Sequence, residues 1–318
     1  DAAFEATHFS STSSFEFGAR KRSYGWYPRT RADVEAWFSA FIDFAIEFGG
    51  GTDQRADTLR RVLGKNLRGL WTNGHMFSKL EAAANVFLQN GGWAEGWRGA
   101  KSTIAYDKKS MSESDFARLQ ELEKRLRPTD LLSSVRSQVL GNGVYDLDDT
   151  DEEAAGSTIE TYERNQKRAR ELGRKVAGDA SVLGEVIDEV SRQTEGRLWE
   201  FGLGLGEAAD DPRSVLMKFR NVLAATPAAQ RSITAILGFL NAAAKKHVDV
   251  VETFLEESLR DEVFAPYFPL LQCNAGLNEA GVDRLLRSFQ IGNVPAGCYR
   301  ALAGGRATDV LSVSQIAS

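Results

Sequence analysis

The chain has 318 residues, 42% of them hydrophobic and 26% charged, with a net charge of −5. That balance lies at the globular average and excludes both a disordered chain and a generally basic nucleic-acid binder. Apolar runs fall short of the roughly 20 residues a membrane-spanning helix needs, and the opening Asp1-Ala2-Ala3-Phe4-Glu5 lacks the regions of a signal peptide. The two cysteines, Cys273 and Cys298, read as reduced thiols in so long a chain, which fits a cytoplasmic protein.

In chain order, residues 1–17 are rich in Ser, Thr and Phe and could pair as an edge segment or remain loose. Gly18–Arg31 (GARKRSYGWYPRTR) interleaves cations with aromatic rings. Arg20, Arg22, Trp26, Tyr27, Arg29 and Arg31 are therefore the candidate partner-binding residues, since Trp, Tyr and Arg dominate interface hot spots. The plainer reading docks these rings on the first helices and leaves the charges solvated.

Thr30-Arg31-Ala32-Asp33 opens a helix whose Val34, Trp37, Phe38, Phe41, Ile42, Ala45 and Ile46 predict a core element, ended by Gly49-Gly50-Gly51. Thr52-Asp53 opens the next, with an apolar stripe of Leu59, Val62, Leu63, Leu67 and Leu70. Its opposite face is basic: Arg55, Arg60, Arg61, Lys65 and Arg68. Residues 73–89 predict a third helix, and Gly91–Trp97 a tight corner with two large rings. Phe116, Leu119, Leu122 and Leu126 precede Pro128. Leu131, Leu132, Val135 and Val139 follow it, which predicts a helical hairpin.

Asp146–Glu153 (DLDDTDEE) lacks the glycine and terminal glutamate of a calcium loop and is expected to be a solvated linker. The predicted organisation is an N-terminal helical layer over 1–143, an acidic linker over 144–156 and a helical-repeat region over 157–318. A densely charged helix begins near Ser157 or Thr158, and a second runs over Ser181–Val190. Gly202, Gly204 and Gly206 form a G-x-G-x-G run, but no strand precedes it, which argues against a dinucleotide fingerprint.

From Asp211 onward the chain reads as a ladder of amphipathic helices. Asp211-Pro212 and Thr226-Pro227 are expected openings, and Gly292 an expected stop. The stripes are Val215, Leu216, Phe219, Val222 and Leu223; then Ile233, Ile236, Leu237 and Leu240; then Val248, Val251, Phe254, Leu255 and Leu259; then Val282, Leu285, Leu286 and Phe289. Ser312-Val313-Ser314-Gln315 before Ile316 reads as the cap of a further helix, so the chain is expected to be a piece of a longer protein.

The three histidines, His8, His75 and His247, lie far apart, and neither a phosphate loop nor a nucleophile elbow occurs. No enzymatic activity, cofactor or metal site is expected.

The alternation of short helices with Pro-started and Gly-stopped hairpins over Asp211–Gly305 resembles HEAT-type or related α-solenoids. With the Trp-rich N-terminal half, it is similar in style to the sensor and scaffold arms of large bacterial anti-phage conflict-system proteins. The resemblance implies an all-α, solenoid-like array of antiparallel helical hairpins. It also implies a non-catalytic interaction module that binds a protein partner or an adjoining domain of the same chain. The alternative is a nucleic-acid-binding solenoid that uses residues 18–31 and the Arg55–Arg68 face.

Overall fold

The computed structural model describes residues 13–16, 19–22, 30–141 and 158–303. The fold is all-α, with one short ribbon in which β1 (Ser13–Glu16) pairs antiparallel with β2 (Ala19–Arg22), Phe15 opposite Arg20. The acidic stretch 146–153 lies outside the described residues. The chain divides into two compact units, Asp1–Arg127 and Pro128–Ser318.

The first unit contains α1 (Arg31–Gly49), α2 (Gln54–Thr72), α3 (Phe77–Leu88), α4 (Ala94–Asp107) and α5 (Glu113–Leu126). α1 starts with a capping box. Asp33 N donates to the Thr30 hydroxyl at 3.2 Å, and Thr30 N donates to the Asp33 carboxylate at 3.0 Å. Asp53 caps α2 by accepting from Ala56 N at 2.7 Å. α3 begins four residues later than the periodicity predicts. His75 sits in the left-handed region at φ 50°, which a helix cannot include, so residues 73–76 turn the chain instead. The predicted aromatic corner is present. Gly91 and Gly92 take φ 99° and 87°, and Trp93 and Trp97 enter the core. Their indole N–H groups donate to Arg60 O at 2.8 Å and to the buried carboxylate of Glu123 at 2.7 Å, so neither ring carries an unmade hydrogen bond inside.

The second unit contains α6 (Leu131–Gln138), α7 (Thr158–Ala177), α8 (Ala180–Val190), α9 (Leu198–Ala208), α10 (Pro212–Ala225), α11 (Thr234–Ala243), α12 (Val248–Ser258), α13 (Phe268–Ala275) and α14 (Glu279–Ile291). The helices expected on either side of Pro128 are both present. α5 belongs to the first unit, whereas Val135 of α6 and Val139 just after it join the core of the second.

Packing in the second unit follows a rule. Alternate helices lie side by side: α7 on α9, α9 on α11 and α11 on α13 make one row, and α8, α10 and α12 meet in the same way. α9 is the centre of the first row, and its glycines explain why. A Cβ on Gly204 would lie 1.8 Å from Arg170 O of α7, and one on Gly202 would lie 2.0 Å from Ala235 O of α11. The G-x-G-x-G run thus lies inside a helix, where it lets two neighbouring backbones approach from opposite sides.

Two openings differ from expectation. Asp211 caps α10 at 3.1 Å with Pro212 in the first turn, as its sequence dictates. Thr226-Pro227, in contrast, leads only to the short turn Ala228–Gln230, and α11 begins at Thr234. Backbone bonds account for the delay: Ser232 N donates to Ser191 O at 2.7 Å and holds the chain extended before the helix. Gly292 stops α14 in the left-handed conformation at φ 77°, as predicted.

The stripe of α14 is narrower than predicted. Leu285 is buried, but Leu286 is 44% and Phe289 71% exposed, whereas Phe219 of α10 is 1% exposed. Phe219→Ala is accordingly expected to cost about 3–5 kcal/mol in denaturant unfolding, and Leu286→Ala well under about 1 kcal/mol.

Candidate functional site

A cleft of about 930 Å³ lies within the first unit. One wall comes from α1, through Val34, Trp37, Phe38 and Phe41. The other comes from the end of α2 and the turn after it, through Lys65, Arg68, Trp71 and His75. Phe77, at the start of α3, closes the floor. Its ring lies 4.7 Å from Trp71 and edge-on to His75 at 5.6 Å, and the guanidinium of Arg118 covers it at 5.4 Å. The indole N–H of Trp71 is buried without an acceptor among the described residues, a cost of about 1–3 kcal/mol that the surrounding packing has to offset.

Sequence periodicity assigned α1 to the core, and of the predicted stripe only Trp37 stands exposed; Phe44 and Phe48, outside that stripe, join it on the surface. Ile42, Ala45 and Gly49 are buried, but Trp37 is 43%, Phe44 42% and Phe48 39% exposed. The helix carries apolar residues over too wide an arc for one neighbouring row to cover. Phe44 and Phe48 lean together at 4.8 Å, and the Arg55 guanidinium lies 4.9 Å over Phe48. A ridge of rings therefore continues outward from the cleft along α1.

The basic face of α2 is largely engaged within the unit. Arg60 is buried, pairs with Asp57 and donates to Asn90 O at 2.8 Å. Arg68 makes a two-pronged contact with Asp107 at 2.6 and 2.9 Å and stacks 5.1 Å over Tyr106. The hydrogen bond that Arg68 donates to Asp107 raises the pKa of the guanidinium. Lys65 is exposed at the cleft and forms no ion pair among the described residues.

Of the candidate partner-binding residues, Arg20 and Arg22 lie in β2, and Arg31 stands exposed in the first turn of α1, bonded to Glu35 at 2.9 Å. Trp26, Tyr27 and Arg29 lie outside the described residues. Sequence reasoning missed the α1 ridge. A signal for it was present, because Trp37, Phe41, Phe44 and Phe48 repeat at intervals of four, three and four beside the buried set.

In the second unit, polar side chains link helices of the α9 row. Gln166 donates to Glu200 at 2.8 Å, Trp199 to Asn274 at 3.3 Å, and Asn241 to Asn274 O at 3.1 Å. Cys273 lies nearby on α13, and burial pushes its thiol up to about 11, far from a reactive thiolate. Among the described residues no three His, Cys, Asp or Glu side chains converge as metal ligands, and no helix is long and apolar enough to cross a membrane. Comparison with family models, with curated proteins and with solved structures finds no match to this chain.

Proposed function

We propose that this chain is a non-catalytic interaction module, a solenoid-like helical scaffold within a larger bacterial protein, and that it recognises a protein partner or an adjoining domain. The observation that carries the reading is the packing of alternate helices into rows, α7–α9–α11–α13 beside α8–α10–α12. Stacked helical hairpins bury a continuous core and leave an extended surface for another macromolecule, which is how α-solenoids of the HEAT type and the arms of anti-phage proteins work. The exposed rings of α1 beside an aromatic cleft add a place for a partner to anchor. Cytoplasmic residence belongs to the same proposal and is supported by Cys273 and Cys298, both unpaired.

A nucleic-acid partner has less support, because Arg60 and Arg68 of the basic α2 face already hold internal acceptors. Affinity isolation from the native cell distinguishes the two. The expected result is a protein that remains bound after nuclease treatment and is lost from a folded Phe44→Ser/Phe48→Ser variant. Material released by nuclease, with a steep salt dependence, would transfer the function to nucleic acid.

A further inference from the structure

α1 carries two apolar seams. The inner one, with Ile42, Ala45 and Gly49, meets the unit's own core. The outer one consists of Val34, Trp37, Phe41, Phe44 and Phe48, repeating at intervals of three and four residues. That is the spacing at which one helix packs along another in a shallow left-handed crossing. Trp37, Phe44 and Phe48 are exposed on it.

Charge narrows the occupant. α1 holds Asp33, Glu35, Asp43 and Glu47 against a single base, Arg31. Glu35 is paired with Arg31 and Asp43 with Lys79 of α3. Asp33 and Glu47 flank the two ends of the outer seam. Asp33 closes the capping box at one end, and Glu47 at the other is exposed and forms no ion pair among the described residues. A second copy of α1 laid antiparallel would set Asp33 against Glu47 at both ends, so self-pairing is opposed by like charge. A helix with basic flanks meets the opposite condition. Two basic neighbours come from α2, Arg55 stacked on Phe48 and Lys65 across the cleft from Val34 and Trp37.

We propose that the outer seam of α1 docks an amphipathic helix of a partner protein, with bulky apolar residues at three- and four-residue spacing and Lys or Arg on the flanks. This rests on the interaction-module reading and specifies the partner's chemistry. The aromatic seam supplies the contact and the acidic flanks the selection.

The test uses the full chain and two labelled synthetic helices with identical apolar seams, one flanked by Lys and one by Glu, followed by fluorescence anisotropy. The Lys helix should bind at least about tenfold tighter than the Glu helix and weaken as salt rises. Phe44→Ser/Phe48→Ser should abolish binding while leaving the circular dichroism unchanged. Glu47→Lys should shift the preference toward the Glu helix. Equal or tighter binding of the Glu helix overturns the charge assignment and leaves protein recognition standing. Failure of both helices, or binding indifferent to Phe44→Ser/Phe48→Ser, overturns the docking seam. A dimer in sedimentation that this variant dissociates would give the seam to a second copy. Binding that appears only in Trp26→Ala/Tyr27→Ala would give it to the chain's own N-terminal residues.

Discussion

Replacing Gly204 by Ala should destabilise the second unit by about 3 kcal/mol or more, whereas Gly184→Ala should leave it unchanged or stabilise it by up to about 1 kcal/mol. Both glycines lie inside helices, so the helix propensity gained from alanine is the same, and only their neighbours differ. A methyl at Gly204 would lie 1.8 Å from Arg170 O, with the carbon of the same carbonyl 2.7 Å away. Both are backbone atoms of α7 and cannot rotate aside, so α7 and α9 must separate and the core residues around Phe201 lose contact. At Gly184 of α8 there is nothing within 4 Å. Urea unfolding of the two variants measures the difference, and equal stability would show that α9 does not lie between close neighbours.

The second large effect is expected at Arg284. This side chain of α14 is 5% exposed, pairs with Glu252 of α12 and donates to the amide oxygen of Gln272 of α13 at 2.7 Å, so one guanidinium joins three helices. Burial, aided by the charge of Arg287, lowers its pKa, yet it remains paired. Arg284→Ala should cost about 3 kcal/mol, because it leaves Glu252 and Gln272 without their partner. The double change Arg284→Leu/Glu252→Leu should cost less than Arg284→Ala alone, since no charge is left unpaired.

The adjoining pair adds a pH dependence. The hydrogen bonds from Arg287 at 2.5 and 2.8 Å hold the carboxyl of Glu256 below its ordinary value of 4.5. A depressed carboxyl pKa means that the unfolded chain binds the proton more readily. The contribution is therefore present above about pH 4.5 and is lost as pH falls through the folded value. It is modest, because Glu256 is half exposed. The unfolding midpoint of Arg287→Ala should accordingly show a shallower acid decline than that of the native chain.

Helix positions were largely legible because caps are local chemistry. Thr30 with Asp33, Asp53, Asp211-Pro212 and Gly292 each satisfy backbone groups within a few residues and act as their types dictate. What misled was non-local. Thr226-Pro227 has the residues of a helix start, but a bond from Ser232 to distant Ser191 keeps the following chain extended. The glycines of α9 could be excluded as a nucleotide loop, yet their packing role depends on α7 and α11, which lie beside α9 only once the rows have formed. The candidate site was legible only in part for the same reason. Trp37 read as part of the core stripe of α1, and the repeat through Phe41, Phe44 and Phe48 marks a second apolar seam without saying that the neighbouring row stops short of it.

The most direct test of recognition through α1 is a photo-crosslinking residue placed at position 44 in the native cell, compared with one at Lys218, exposed on α10 of the second unit. The expected product is a protease-sensitive, nuclease-resistant adduct to another polypeptide or domain, formed at position 44 and absent at 218. Nucleic-acid adducts, or identical adducts from both positions, would contradict it.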